Sequence, residues 1–228
     1  PNAFMLQLRE FLTRAGVEIL SGTDVLGFEF QNKRVVQLKV SRDNQVQKLP
    51  VEELLLATGA WSQHLARALR LKLPIQAGKG YSFTLPQREG QRLRFPSILA
   101  EARVAITPMG EQLIRFGGTM EIGGLNDGIN LNRVRGIVKA IPKYFNGYAV
   151  EMPKEPNIWY GLRPCSPDGM PYIGRSNQHD NLCIATGHAM MGLSLGPATG
   201  KLISEVITGK TPSAGMALFE IGRYARRQ

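Results

Sequence analysis

Two glycine- and proline-punctuated segments late in the chain limit its architecture more than any other feature. Gly161-Leu162-Arg163-Pro164 closes an apolar run and Ser166-Pro167-Asp168-Gly169 turns the chain. Leu182 to Ala185 then leads into Thr186-Gly187-His188-Ala189-Met190-Met191-Gly192-Leu193-Ser194-Leu195-Gly196-Pro197. Such a chain must end a strand at an arginine, reverse, return as a strand and open a helix through a loop poor in side chains. Arginine presents a planar fork of donors that matches a carboxylate. A glycine-rich loop running into a helix brings backbone N–H groups and the positive end of the helix dipole against an electron-rich partner. The two features together predict a site that holds a small carboxylate beside a cofactor.

Composition sets the outer bounds. The 228 residues suffice for one large core or two small ones, and 43% hydrophobic with 20% charged residues is ordinary for a globular chain. No apolar run approaches the ~20 residues that span a bilayer, so a membrane contact would be peripheral. The net charge of +10 favours anionic partners. Only Arg223-Tyr224-Ala225-Arg226-Arg227 mixes basic and aromatic residues, so we expect no nucleic-acid partner and keep an anionic membrane surface as the candidate. Cys165 and Cys183 form neither a disulfide framework nor a zinc spacing, and they read as small buried residues of a reducing compartment. The chain opens at Pro1 inside a helical pattern, which leads us to expect the C-terminal part of a longer protein.

Along the chain, Phe4, Leu8, Phe11, Leu12 and Ala15 recur at helical spacing and Gly16 stops them. A short strand is predicted over 17–20, then three strands near 25–30, 35–40 and 45–49, joined by polar turns into a β-meander. Leu54-Leu55-Leu56-Ala57 is apolar on both faces, as in a buried parallel strand, and Thr58-Gly59 ends it. Ser62 is placed to cap the helix that follows. From Ile75 the texture changes to alternating strands with glycine and proline turns, over 81–85, 97–100, 104–107, 112–116 and 158–162. One helix carries Val134, Ile137, Val138 and Ile141 and is disturbed by Pro142. Pro197 is expected to begin a helix that Gly209 closes, and a last helix is predicted over 214–227.

Gly-Leu-Arg-Pro, Pro-Asp-Gly-x-Pro-x-x-Gly and Thr-Gly-His-x-x-x-Gly in this order resemble the C-terminal half of the FAD-dependent D-amino-acid oxidase superfamily, nearest to its bacterial dehydrogenases. Leu56-Ala57-Thr58-Gly59-Ala60-Trp61-Ser62, Gly80-Tyr81-Ser82-Phe83-Thr84-Leu85-Pro86 and Gly117-Gly118-Thr119-Met120-Glu121 extend the likeness over nearly the whole chain. The resemblance implies a mixed α/β and α+β fold. Residues 1–74 and 164–228 would form the second half of an FAD-binding Rossmann-like domain with its meander, and residues 75–163 a mostly antiparallel substrate domain. The first half of such a domain carries a Gly-x-Gly-x-x-Gly loop, which this sequence lacks, so the nucleotide site is expected to be incomplete.

The resemblance also assigns roles. Arg163 would bind the substrate carboxylate, with Tyr81 near the pocket mouth. FAD would meet Val25, Thr58, Gly59 and Trp61 from the first segment, and Gly187, His188, Met191, Gly192, Leu193 and Ser194 from the second. The implied activity is oxidative deamination of D-amino acids, with a respiratory quinone as electron partner. The implied location is the cytoplasm, with peripheral contact at the inner membrane. The alternatives are a catalytically inert binding or scaffold fragment, and an oxidase of glycine or a secondary amine. Glycine oxidases carry an arginine where this chain has Met190, which argues against the latter. Gly192-Leu193-Ser194-Leu195-Gly196 also matches a nucleophile elbow, but no histidine follows Ser194, so the hydrolase reading fails. Asp168 reads as a turn residue rather than a base, and His188 as part of the loop rather than a proton shuttle. Lys79 is placed with Tyr81 near the pocket mouth, while Arg115 and Glu121 read as a solvated or ion-paired strand face.

Overall fold

A computed structural model describes residues 2–88, 90 and 92–224. The first helix, α1 (Asn2–Arg14), ends at Gly16, whose φ of +84° only glycine adopts without strain. Strands β1 (Thr23–Gln31), β2 (Arg34–Arg42) and β3 (Gln45–Pro50) form the expected antiparallel meander. Its tight turns use Asn32, Asp43 and Asn44 at positive φ, the residue types that tolerate it.

The predicted strand over 17–20 does not form. Val17 and Ile19 are exposed, and no described strand lies beside them to supply ladder hydrogen bonds. The apolar run forms β4 (Leu54–Leu56), followed by a 3-10 turn (Gly59–Trp61) and α2 (Ser62–Ala68). Ser62 is the first residue of that helix and does not cap it. Its side chain is fully buried and bonded to Thr58 and Thr186 instead.

The middle of the chain builds a five-stranded antiparallel sheet from β5 (Gln76–Pro86), β6 (Ser97–Leu99), β7 (Val104–Met109), β8 (Leu113–Ile122) and β9 (Ile158–Cys165). Its spatial order is β6-β7-β8-β5-β9. One face packs Tyr81, Phe83, Ile106, Ile114, Phe116 and Ile158 against Val134 and Ile137 of α3 (Leu131–Ala140), which Pro142 converts to a 3-10 turn. The other face is cleared by Gly78, Gly80 and Gly161.

After β9 the chain turns at Asp168-Gly169 and forms β10 (Tyr172–Arg175) and β11 (Leu182–Thr186). Strand β11 pairs antiparallel with β10 and parallel with β4, so a second core gathers Leu56, Leu69, Ile75, Tyr172, Leu182 and Ile184. The last long helix, α4 (Gly192–Ile207), starts five residues before the predicted Pro197. Proline lacks a hydrogen-bond donor and suits a first turn. Here it is tolerated one turn further in, and the helix packs Leu202 and Ile203 on Ile173 and Cys183. The final helix over 214–227 is reduced to a 3-10 turn (Ala217–Phe219), with Gly215 and Gly222 on either side of it. Residues 225–227 of that expectation, and of the basic tail, lie outside the described residues.

Candidate functional site: a glycine-cleared sheet face beside a strand-end loop

Strand alternation fixes which side chains meet. Residues 159, 161, 163 and 165 of β9 point to one face, and the register of Gly78 opposite Arg163 and Gly80 opposite Gly161 puts the glycines under them. A Cβ added at Gly80 would fall on the Arg163 guanidinium, and one at Gly161 would fall on the Trp159 ring. Glycine is thus needed at both positions so that a guanidinium and an indole can lie flat on the sheet. Arg163 is half-buried. Among the described residues its guanidinium meets no carboxylate and a single acceptor, the Thr119 carbonyl, 3.5 Å from Nη1. A partly desolvated cation with most of its fork unused can receive an anion of matching shape. Cys165 Sγ lies 3.9 Å from Met120 Sδ on the same face, giving an apolar flank.

The loop after β11 is fastened directly to this strand. Cys165 and His188 form an isolated antiparallel bridge, and the Ala189 N–H donates to the Pro164 carbonyl at 2.9 Å. Gly187 has φ +86°, and a Cβ there would press on the Tyr172 ring at 3.1 Å. His188 is bonded through Nε2 to Thr199 Oγ1 of α4 at 2.9 Å, and burial lowers its pKa, so it holds the loop as a neutral ring. Gly192, Leu193 and Ser194 form the first turn of α4, where backbone N–H groups have no partner within the helix and the dipole is positive.

The first predicted segment arrives at the same place. Strands β4 and β11 are parallel, so the turns after both emerge at their carboxyl ends, where open α/β sheets bind ligands. A chain of hydroxyls ties the turns together. Thr58 Oγ1 lies 3.0 Å from Ser62 Oγ, which lies 2.9 Å from Thr186 Oγ1, and Thr186 also donates to the Gly59 carbonyl at 3.3 Å. The 3-10 turn carrying Gly59 and Trp61 packs on β9 and β5. Thr58, Gly59, Trp61, Gly187, His188, Met191, Gly192, Leu193, Ser194 and Arg163 are therefore brought to one region.

Two predicted residues stand elsewhere. Val25 lies in the separate meander sheet, paired with Val40. Tyr81 lies on the opposite face of the five-stranded sheet from Arg163, almost fully buried. Its hydroxyl donates to Glu121 at 3.1 Å and accepts from the Asn130 N–H at 3.2 Å, and burial raises its pKa. Lys79, on that same buried face, is solvated by Asn126 and by the Gly128 carbonyl, with Tyr160 beneath it.

Asp168 is a structural anchor. Its carboxylate takes a forked ion pair from Arg223, at 2.8 and 3.0 Å, which holds it far below the usual carboxylate range. Arg223 in turn lies 3.9 Å over the Tyr172 ring, the ring beneath Gly187. Sequence reasoning missed this clamp because its two ends are 55 residues apart. It also missed the Thr58-Ser62-Thr186 chain, for which the run of hydroxyl residues beside two strand ends was the available signal.

FAD fits part of this arrangement. The close backbone approach at Gly187, the α4 N-terminus and the paired strand ends suit the electron-rich edge of a flavin. The sequence holds no Gly-x-Gly-x-x-Gly loop for the dinucleotide phosphates. A family profile described as FAD dependent oxidoreductase, DAO, matches residues 1–206. A D-amino acid dehydrogenase of Granulibacter bethesdensis is 30% identical over 225 residues, covering 98% of this chain and 52% of that protein. One from Helicobacter pylori is 29% identical, covering 90% and 48%. The chain spans about half the length of these curated relatives. Among solved structures, glycine oxidase from Geobacillus kaustophilus has a TM-score of 0.77 at 22% identity, covering 93% of this chain and 55% of that one. L-Proline dehydrogenase from P. horikoshii has 0.76 at 23%, covering 94% and 57%. Those likenesses show the fold, and the profile shows the lineage: the chain belongs to the DAO family of FAD-dependent oxidoreductases.

Proposed function

We propose that this chain supplies the substrate-binding sheet and the flavin-facing loop of an FAD-dependent dehydrogenase that oxidises D-amino acids to 2-oxo acids and ammonia. One observation carries the reading: Arg163, half-buried and without a carboxylate partner among the described residues, lies on the glycine-cleared face two residues before the strand bridges to His188. Its fork would take the α-carboxylate and so fix which face of the α-carbon is presented. FAD bound beside the loop supplies a two-electron acceptor for the α-hydrogen. The first-turn N–H groups of α4 stabilise negative charge on their partner, and neutral His188 keeps the loop in place through Thr199. No side-chain base is required when the amine reacts unprotonated, and water then hydrolyses the imino acid.

The division into a flavin-binding part (1–74 and 164–228) and a substrate part (75–163) belongs to the same proposal, supported by two separate buried cores. The names of the relatives support a dehydrogenase, and a respiratory quinone as electron partner is part of the same proposal. The +10 charge supports a peripheral anionic membrane contact on the cytoplasmic side. Among the described residues no helix is long and apolar enough to cross a membrane.

The test uses the FAD-loaded full-length gene product. Anaerobic D-alanine should bleach the flavin band, and Arg163→Leu should raise the KM for D-amino acids at least tenfold. A flavin bleached by glycine or proline but not by D-amino acids would transfer the site to glycine or to secondary amines. An Arg163→Leu enzyme with unchanged KM would remove the carboxylate receptor altogether.

A further inference from the structure

Strand β8 breaks the sheet's regular ladder beside Arg163. Lys79 pairs with Glu121 and Tyr81 with Gly118, so Gly80 alone faces Thr119 and Met120. This is a β-bulge with Thr119 as the extra residue. Thr119 has φ +59°, a left-handed conformation that a β-branched residue adopts only under strain. Its hydroxyl is buried with no hydrogen-bond partner, a second unfavourable feature at the same residue. The residue's own N–H donates to the Arg103 carbonyl at 3.3 Å, and its carbonyl accepts from Arg163 Nη1 at 3.5 Å. Local strain of this kind gathers at functional sites because the surroundings impose it.

We propose that Thr119 is a positioning residue for Arg163. The bulge turns one backbone carbonyl out of the β8–β5 ladder and onto the guanidinium, which pins one corner of the fork over Gly80 and leaves the others for the ligand. A regular strand could not do this, since its carbonyls alternate within the plane of the sheet and bond to neighbouring strands. The function lies in the backbone of residue 119, and the threonine side chain is incidental to it. The inference rests on the reading of Arg163 as a carboxylate receptor.

Deleting Thr119 restores a one-to-one register between Gly80 and Met120 without reversing the faces of the residues that follow. Thr119→Gly keeps both the left-handed turn and the carbonyl. In the FAD-loaded full-length protein, pyruvate binding followed by flavin absorbance and the KM for D-alanine report on the receptor, and thermal melting reports on the fold. Thr119→Gly should bind like the wild type and melt at the same or a higher temperature. The deletion should weaken pyruvate binding and raise KM about 10- to 100-fold with kcat much less affected, and it should add nothing in an Arg163→Leu background. Should the deletion not fold, Thr119→Pro, whose ring forbids positive φ, carries the same expectation. Normal pyruvate binding in a folded deletion or proline variant overturns the proposal, as does a loss in Thr119→Gly equal to theirs. Failure of Arg163→Leu itself to weaken binding would instead refute the carboxylate receptor.

Discussion

Gly80→Ala separates what the site needs from what the fold needs. The added methyl group would lie inside the van der Waals envelope of Nη1, Nη2 and Cζ of Arg163. Carbon contacts relax at about 3.5–4 Å, so the guanidinium must withdraw by about 1 Å or more. It sits at the end of a flexible side chain on a half-buried face, so withdrawal leaves the sheet intact, and Tm should change by no more than about 2–4 °C. The proposed bidentate grip on a carboxylate would not survive such a shift. Hydrogen bonds to charged groups contribute about 1.5–3 kcal/mol, and each 1.4 kcal/mol is about tenfold. The KM for D-amino acids should therefore rise about 10- to 100-fold.

Gly118→Ala is the contrasting control. Its Cβ would lie 2.8 Å from the Arg103 carbonyl oxygen and 3.3 Å from Ile137, on the packed side of the sheet. Backbone cannot yield as a side chain does, so this variant should lose far more stability than Gly80→Ala. Steady-state kinetics paired with thermal melts of both variants makes the comparison. A Gly80→Ala enzyme with wild-type KM would refute the argument, since it would mean that the position of the Arg163 fork is irrelevant to substrate.

Two further substitutions probe the frame around the site. Asp168→Asn removes the charged partner of Arg223, whose side chain is only 10% exposed and which keeps its bonds to the Met170, Pro171 and Glu220 carbonyls. With Asp168 about a third exposed, we expect a discounted loss of about 1–2 kcal/mol and a Tm lower by about 2–8 °C, read by melting at pH 7. Because the Asp168 pKa is depressed in the fold, this difference should persist down to its ordinary value of 3.8 and shrink only in stronger acid. His188→Gln keeps a hydrogen-bonding partner for Thr199 but cannot titrate. Burial lowers the His188 pKa, so the unfolded chain binds the proton more readily. The wild type should lose stability relative to the variant as pH falls below about 6.5, and parallel denaturation profiles between pH 5 and 8 would contradict this.

Much of the architecture could be read from local pattern because local chemistry decides it. The meander follows from alternating side chains and from asparagine and aspartate at turns that require positive φ. Strand β4 follows from three leucines ended by Thr-Gly, and the place of Arg163 near the end of β9 from Gly-Leu-Arg-Pro. Errors arose where a distant partner decides the outcome. Residues 17–20 have strand-like composition but, among the described residues, no strand beside them with which to pair. Ser62 was legible as a cap until Thr186, on the other side of the chain's large excursion, drew its hydroxyl inward. Gly192-Leu193-Ser194-Leu195-Gly196 has weak helix propensity and is mostly exposed, so nothing local announces a helix ahead of Pro197. The same reasoning explains Thr119. A bulge is a mismatch between two strands, and neither strand's sequence alone records it.

The parallel pairing of β4 with β11 also bears on how the molecule is made. The Ser62–Thr186 hydrogen bond spans 124 residues, and Asn181, bonded to Val35, spans 146. At synthesis rates of about 5–20 residues per second, β4 waits roughly 6–25 s on the ribosome for its only described neighbour. The five-stranded sheet, built from contiguous chain, can form during that interval. During that interval β4 lacks this neighbour, so the rate of translation through the intervening sheet sets how soon the two strand-end turns can be brought together.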